Sequence, residues 1–147
     1  QLTRQDVRTL YELREALESD AARLAAARAS QHEGKALSEL LDFHEHGVVN
    51  HPTGAYRQRE GQDDFHARIA LLSGNPMFYQ LLAEELYPQL ALLRRPHGHV
   101  EGRGRVALLE HRRITQAIIA QDGEVAAILM RRHIRASWRS LEQQLKE

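Results

Sequence analysis

Apolar side chains recur at three- and four-residue intervals along most of the chain, and this spacing predicts helices. Thr3 can cap a first helix that carries Asp6 in its first turn and runs to about Ser30. We expect this long amphipathic helix to bury one apolar stripe against the rest of the protein. The stripe consists of Val7, Leu10, Leu13, Leu17, Ala21 and Leu24.

Two further helices are predicted before the middle of the chain. The first covers about 34–48 and should stop around Gly47, with a loop near residues 51–54; its core positions are Leu37, Leu40 and Leu41. The second should begin at Ala55 and be weakened by Gly61, because an interior glycine costs about 1 kcal/mol relative to alanine. Its core positions are Phe65, Ile69 and Leu72.

The residues Ser-Gly-Asn-Pro at 73–76 predict a sharp boundary between helices, since Gly74 suits a left-handed helix end, Asn75 a cap and Pro76 a first helical position. We expect a fourth helix from there, kinked at Pro88. After a loop over 96–104, a helix over about 105–120 and another capped by Asp122 complete the chain. No strand-like alternation is present, so the prediction is an all-α antiparallel bundle of six to seven helices in one domain.

Composition narrows the function. The chain has 20 Lys plus Arg and 20 Asp plus Glu, so it has no basic surplus of the kind that holds DNA non-specifically. It has no long apolar run or export leader, and we expect a soluble, cytoplasmic domain. With no cysteine, histidines and carboxylates are the strong metal ligands that remain. Because the sequence starts at Gln1 without an initiator Met, we also expect an N-terminal neighbour.

Arg14 is predicted to lie on the inward stripe of the first helix, between Leu10, Leu17 and Ala21. A buried arginine needs an anionic partner. One interpretation is a structural ion pair with a glutamate such as Glu18; the other is a clamp for an anionic ligand.

Three histidines lie on or beside core-facing stripes of three different helices, namely His66, His111 and His133. A single inward histidine is more often a buried core residue than a ligand. Three together indicate a metal site in the bundle core, where neutral imidazoles suit zinc or nickel. The remaining six are assigned to loops or outer faces, where side chains are solvated; they are His32, His44, His46, His51, His97 and His99.

At this point the sequence resembles the FCD domain, the C-terminal effector-binding domain of FadR-type regulators in the GntR family, over essentially its whole length. The similar segments are LYELREALE at 10–18, DFH at 64–66, LSGNP at 72–76, EHR at 110–112 and MRRH at 130–133. The intervals of 45 residues from His66 to His111 and 22 from there to His133 are similar to those of the metal-binding branch.

The resemblance implies a bundle with a central cavity, a divalent metal held by one acidic residue and three histidines, and a small carboxylate effector beside the metal. It also implies a preceding winged helix-turn-helix domain. The sequence departs from the family at the acidic ligand, four residues before the first histidine, where Gln62 stands. Asp63, three residues before His66, can share its helical face, and is alternatively a solvated acid.

Three functions follow as hypotheses. The first is a homodimeric sensor that binds a hydroxy- or dicarboxylic acid through the metal and Arg14, with Asn75 and Thr115 as neutral hydrogen-bonding residues, and that contacts DNA only through the preceding domain. The second is a metal-dependent hydrolase with an open three-histidine site, although no inward general base is evident. The third is a metal-free sensor of a lipid-like ligand.

Overall fold

The computed structural model describes residues 2–56, 63–94 and 102–145, and the side chains of 92–94 lie outside that description. Within these residues the chain is helical and contains no strand, which confirms the all-α prediction. A π-helical segment, Gln80–Leu86, joins the fourth and fifth α-helices into one continuous stretch. The α-helices are α1 Arg4–Arg28, α2 Gln31–Asn50, α3 Phe65–Leu72, α4 Pro76–Tyr79, α5 Tyr87–Arg94, α6 Arg103–Ile119 and α7 Gly123–Glu142.

The first two helices begin with capping boxes. The Thr3 hydroxyl accepts from the backbone N–H of Asp6, whose carboxylate accepts from the backbone N–H of Thr3, and Ser30 and Glu33 form the same pair at α2. The predicted start of α2 at about residue 34 was therefore late. The predicted stop around Gly47 was also wrong, because α2 continues to Asn50.

The third helix is shorter than predicted. It begins at Phe65, where the Asp64 carboxylate caps the N–H of Ala67, whereas Ala55 and Tyr56 are not helical. Gly61, which the sequence placed inside this helix, lies outside the described residues. The cap at Asp64 decides the register of α3, and it thereby decides which face His66 presents.

The boundary at residues 73–76 is as predicted: Gly74 has a φ of +71°, the Asn75 side chain accepts from the N–H of Met77, and Pro76 begins α4. A π-helical segment, Gln80–Leu86, lies just before Pro88, where the sequence predicted a kink, and the kink itself stays a prediction. A proline ring clashes with the carbonyl four residues earlier, and a wider π turn relieves that clash.

The last two helices are close to prediction. The N-terminal end of α6 lies two residues earlier than expected, at Arg103, and the Asp122 side chain caps α7 through the N–H of Val125. Of the predicted loop over 96–104, residues 96–101 lie outside the described residues, and Arg103 and Gly104 are helical.

Helix α1 packs antiparallel to α7, as ion pairs join Arg4 to Glu142 and Glu15 to Arg135. Helices α2 and α3 cover the other sides of the bundle. The buried face of α1 is rotated from the predicted stripe, and Leu13 is 49% exposed. The residues that α1 buries are Val7, Tyr11, Arg14, Glu18, Ser19, Ala21, Ala22, Ala25 and Ala26. Among the described residues, no helix could span a membrane.

Candidate metal centre

Three buried histidines from three helices meet in the core. His66 comes from α3, His111 from α6 and His133 from α7, and each is at most 6% exposed. The Nε2 atom of His133 lies 3.1 Å from Nε2 of His111 and 3.3 Å from Nε2 of His66. The three ring nitrogens therefore converge on one point, and these three residues could hold a metal ion.

The other ring nitrogen of each histidine, Nδ1, faces away from this position and has a hydrogen-bond partner there. Nδ1 of His66 lies 2.5 Å from Oε1 of Glu18, and Nδ1 of His133 lies 2.7 Å from Oε1 of Glu110. Nδ1 of His111 lies 3.0 Å from the hydroxyl of Tyr56. An ionised carboxylate can accept a hydrogen bond but cannot donate one. Nδ1 of His66 and Nδ1 of His133 must therefore be the donors, and in the neutral rings the proton is on Nδ1. Their Nε2 lone pairs then face inward.

Aromatic packing fixes the ring planes. Phe65 stacks on His111 with 4.0 Å between ring centroids and 17° between planes, although the two residues belong to different helices. His66 and His133 are near parallel at 15°, with centroids 5.1 Å apart. A ring that is held by a neighbouring ring and by a hydrogen bond at Nδ1 has little freedom left, so Nε2 keeps its direction.

Glu18 is shared by two cations or potential cations. Its Oε2 accepts from Nε of Arg14 at 2.6 Å while its Oε1 accepts from His66, and all of this is buried. Burial raises the pKa of Glu18, but the interactions with Arg14, His66 and Tyr87 together outweigh it, and the net pKa lies well below the usual range. The predicted Arg14–Glu18 ion pair is thus present, and Glu18 stays a carboxylate that accepts from His66.

Arg14 has donor atoms that do not bind Glu18. Its Nη2 lies 3.4 Å from the hydroxyl of Tyr87, and within the described residues its Nη1 is buried without a hydrogen-bond partner. A buried donor without a partner costs free energy, and such an atom often marks a position where a ligand or water binds. The pair with Glu18 therefore does not exhaust what Arg14 can bind.

Glu110 holds His133 from the far side of the α6–α7 interface. Its Oε1 also accepts from Nη2 of Arg103 at 2.9 Å. Half-burial raises the pKa of Glu110, but the hydrogen bonds from His133 and Arg103 outweigh it, so the net pKa is lowered. Glu110 is consequently ionised at neutral pH, and its charge is balanced on one side by Arg103.

Burial keeps two of the histidines neutral. It lowers the pKa of His111 well below the usual range, and the neighbouring imidazoles lower it further. Burial also lowers the pKa of His133, and the hydrogen bond to Glu110 raises it again in part. The net pKa of His133 is about 4. Neutral imidazole is the form that binds a metal, so these two ligands need not lose a proton at neutral pH.

A fourth histidine belongs to the same network. His44 is 4% exposed, and its assignment to an outer face or loop was wrong. Its Nδ1 lies 2.7 Å from the hydroxyl of Tyr56, the group that also contacts His111, and its Nε2 lies 2.9 Å from the backbone oxygen of Asp63. The sequence did contain evidence for this burial. His44 lies three residues after Leu41 and seven after Leu37, and residues at these intervals share one face of a helix.

The other residues that the sequence singled out lie as follows. Gln62 is outside the described residues. The Asp63 side chain is 53% exposed and 3.6 Å from Arg68. Thr115 is buried one turn after His111 and donates its hydroxyl to the His111 carbonyl at 2.9 Å. Asn75 caps α4 and lines a surface groove of about 400 Å³.

Two comparisons with known proteins gave matches. The sequence model of the FCD domain family matches residues 9–136, a span that contains all three histidines, Arg14, Glu18 and Glu110. The chain belongs to the FCD domain family. Its fold is similar to a solved structure described as Streptococcus agalactiae GntR, with a TM-score of 0.73 and 27% sequence identity over 90% of this chain. No curated protein sequence matched.

The FCD assignment supports a ligand-sensing regulatory domain of GntR type, and it points to a regulator rather than an enzyme. The chain spans 57% of the Streptococcus agalactiae chain that it matches. Within the part of the FCD domain that the structure describes, His66, His111 and His133 are the one group of ligand-type side chains that could share a metal.

Sequence reasoning missed three residues of this FCD site besides His44: Tyr56, Tyr87 and the role of Glu110. No local pattern could have found Glu110, because its partner His133 lies 23 residues away and meets it only once α6 and α7 pack. Tyr56 was hidden in a segment predicted to be helical. Its position follows from the close approach of α6, since a Cβ on Gly104 would lie 2.7 Å from the Gly54 oxygen.

Proposed function

We propose that this chain is the sensing domain of a bacterial GntR-type transcription regulator, and that it holds a divalent metal on Nε2 of His66, His111 and His133. A small carboxylate effector binds beside the metal. Zinc and nickel are the ions we expect, since both accept imidazole ligands.

The observation that carries this proposal is the convergence of three Nε2 atoms whose Nδ1 partners are already in place. Two of those partners are carboxylates, so His66 and His133 direct bare lone pairs at each other across 3.3 Å. No proton is available between those two nitrogens to make a hydrogen bond. A cation at that point turns a repulsive arrangement into a favourable one, and burial strengthens the attraction.

The spacing suits a metal. Ligands at about 2.0–2.1 Å from a tetrahedral ion lie roughly 3.3–3.4 Å from one another. The separations of 3.1 and 3.3 Å between the Nε2 atoms fall close to that figure. When bound, the ion supplies a positive charge and open coordination positions, which an oxygen of a ligand can fill.

The fourth protein ligand remains a prediction. A neutral amide oxygen at Gln62 is a weaker ligand than a carboxylate, so Gln62→Asp should tighten metal binding while Gln62→Ala changes it little. Asp63 is the other candidate, although its ion pair with Arg68 and its exposure favour a solvated acid. Loss of metal in Asp63→Ala, with both Gln62 variants behaving alike, would assign the role to Asp63.

The charge beside the metal favours an anionic effector. The unpartnered Nη1 of Arg14 and the bound cation together attract a carboxylate or hydroxy acid, and Arg14 reaches the site through Glu18, which also holds His66. Thr115, whose hydroxyl proton is engaged, can serve as an acceptor. We expect Asn75 to contribute only if the helices around α4 rearrange, since its oxygen caps that helix.

Regulation follows if the effector prefers one arrangement of the helices or of two copies of the domain. The DNA contact is assigned to an N-terminal winged helix-turn-helix domain, because the equal numbers of acidic and basic residues give this domain no electrostatic hold on DNA. We propose a homodimer to match two-fold operators, and a cytoplasmic location where the DNA is.

A hydrolase is less well supported. The two carboxylates nearest the histidines, Glu18 and Glu110, are both engaged at the Nδ1 side and carry their own arginines. Neither is free to act as a general base beside a metal-bound water.

Elemental analysis of the purified domain tests the proposal. We expect about one divalent ion per chain, lost in His111→Ala and retained in His46→Ala, a control on the exposed face of α2. Calorimetry should then show carboxylic acids binding the metal-loaded domain more tightly than the metal-free domain. Absence of metal before any chelator treatment, with no thermal shift on adding zinc or nickel, would favour a metal-free sensor instead.

A further inference from the structure

His44 and Tyr56 form a hydrogen-bond chain that ends on a proposed metal ligand. His44 is on α2 and Tyr56 follows α2, while His111 is on α6. The separations along the chain are 2.9 Å from the Asp63 oxygen to His44, 2.7 Å from His44 to the Tyr56 hydroxyl and 3.0 Å from that hydroxyl to His111. His44 and His111 are buried, and the partly buried Tyr56 lies between their rings.

The direction of each hydrogen bond can be read from one end. The backbone oxygen of Asp63 can only accept, so the facing Nε2 of His44 must carry a proton. In a neutral imidazole the other nitrogen is then bare, so Nδ1 of His44 accepts from the Tyr56 hydroxyl. Because the hydroxyl hydrogen of Tyr56 points to His44, the Tyr56 oxygen accepts a hydrogen bond from Nδ1–H of His111. The proton of His111 is thereby held on Nδ1.

Two further features keep these directions fixed. His44 is 4% exposed, and such burial favours the neutral imidazole. The rings of His44 and His111 each meet the Tyr56 ring edge-on, with centroids 5.3 Å apart in both cases. Tyr56 is therefore held symmetrically between the two imidazoles.

We infer that His44 is a positioning residue for the metal centre: acting through Tyr56, it selects the tautomer of His111 whose Nε2 lone pair faces His66 and His133. This inference rests on the proposed metal site for its function, but the tautomer it assigns exists without a metal. Two of the three histidines are supported by carboxylates, which can only accept, whereas His111 is supported by a hydroxyl whose direction must be set by another residue.

Tyr56→Phe and His44→Phe should lower zinc affinity by different amounts. In Tyr56→Phe, Nδ1 of His111 loses its acceptor and both tautomers become populated, so zinc affinity should fall about tenfold. In His44→Phe, the Tyr56 hydroxyl loses its own acceptor and donates to Nδ1 of His111. The proton of His111 then moves to Nε2, toward the metal position, so zinc affinity should fall further, by about 100-fold.

The double variant His44→Phe/Tyr56→Phe separates positioning from packing. Removing the hydroxyl removes the competing donor, so the double variant should bind zinc as well as Tyr56→Phe, and about tenfold better than His44→Phe. If His44 were merely a packing residue, the second substitution would add to the first. Tyr79→Phe, which removes a hydroxyl from another half-buried tyrosine, is the control and should match wild type.

The test combines nuclear magnetic resonance with zinc titration. In metal-free protein labelled with ¹⁵N-histidine, two- and three-bond correlations should show His111 protonated on Nδ1 and His44 on Nε2, and His44→Phe should shift His111 to Nε2–H. Zinc affinity, measured by competition with a chromophoric chelator, should follow the order given above. Wild-type His111 protonated on Nε2, or a double variant weaker than His44→Phe, overturns the inference; correct tautomers with no zinc binding overturn only the proposed function.

Discussion

Glu110 accepts a hydrogen bond from His133 across the α6–α7 interface, with 2.7 Å between Oε1 and Nδ1. The same oxygen accepts from Arg103 at 2.9 Å. A carboxylate in this position makes the imidazole a stronger ligand and fixes its tautomer. The packing of two helices thus decides the chemistry of a nitrogen on the opposite side of the His133 ring.

The first prediction concerns this carboxylate. Glu110→Gln keeps the shape of the side chain but removes its charge, so metal affinity should fall about 10- to 100-fold while the fold is retained. Chelator competition measures the affinity, and Glu39→Gln, an exposed substitution on α2, is the control. Equal affinities for the two variants would show that Glu110 does not support the site.

The second prediction concerns the stability of the metal-free domain at acidic pH. His133 has its pKa lowered to about 4, whereas an unfolded histidine titrates near 6.5. Between these values the unfolded chain binds a proton that the native state does not. Stability is therefore unaffected by His133 above pH 6.5 and decreases as the pH falls toward 4, by about 3 kcal/mol.

Urea unfolding at several pH values measures this effect. His133→Phe removes the group, so its stability should depend less steeply on pH over that range than wild type. Parallel curves for the two proteins would mean that His133 titrates normally in the folded state.

The third prediction concerns the buried ion pair of α1. Arg14→Met leaves the buried Glu18 without its cationic partner and with hydrogen bonds to His66 and Tyr87, and should destabilise the metal-free domain by about 3–5 kcal/mol. Replacing both charges, in Arg14→Met/Glu18→Leu, should recover much of that loss, because an apolar pair of similar volume needs no solvation. A double variant no more stable than the single one would show that the cost comes from packing.

The fourth prediction concerns the contact that places Tyr56. A Cβ at Gly104 would lie 2.7 Å from the Gly54 oxygen and 2.9 Å from the Tyr56 backbone nitrogen. Gly104→Ala should therefore displace Tyr56, weaken metal binding and cost about 1–3 kcal/mol of stability. Gly47→Ala is the matched control. It has open space in α2, so it should stabilise the domain by about 0.5–1 kcal/mol; similar behaviour of the two variants would remove Gly104 as a constraint.

Periodicity predicted the helices well where caps and apolar spacing agree. Asp122 and the residues at 73–76 set boundaries that the structure reproduces. Periodicity was less accurate within α1: Arg14 is buried as predicted, but Leu13, which was assigned to the same buried stripe, is 49% exposed.

Some residues of the candidate site could be predicted from the sequence and others could not. His66, His111 and His133 could be chosen from sequence because each lies on an apolar stripe, whereas Glu110 and Tyr56 meet their partners only after helices pack. His44 could have been found from its spacing to Leu41. What sequence cannot give is the direction of a hydrogen bond, which depends on atoms far apart in the chain.

Anomalous diffraction from crystals of the untreated domain, collected at the zinc and nickel absorption edges, tests the central claim most directly. We expect one peak at bonding distance from Nε2 of His66, His111 and His133, with each Nδ1 still bonded to Glu18, Tyr56 or Glu110. A domain crystallised with either metal in excess that shows no peak among these nitrogens, or a metal bound through Nδ1, would contradict the account.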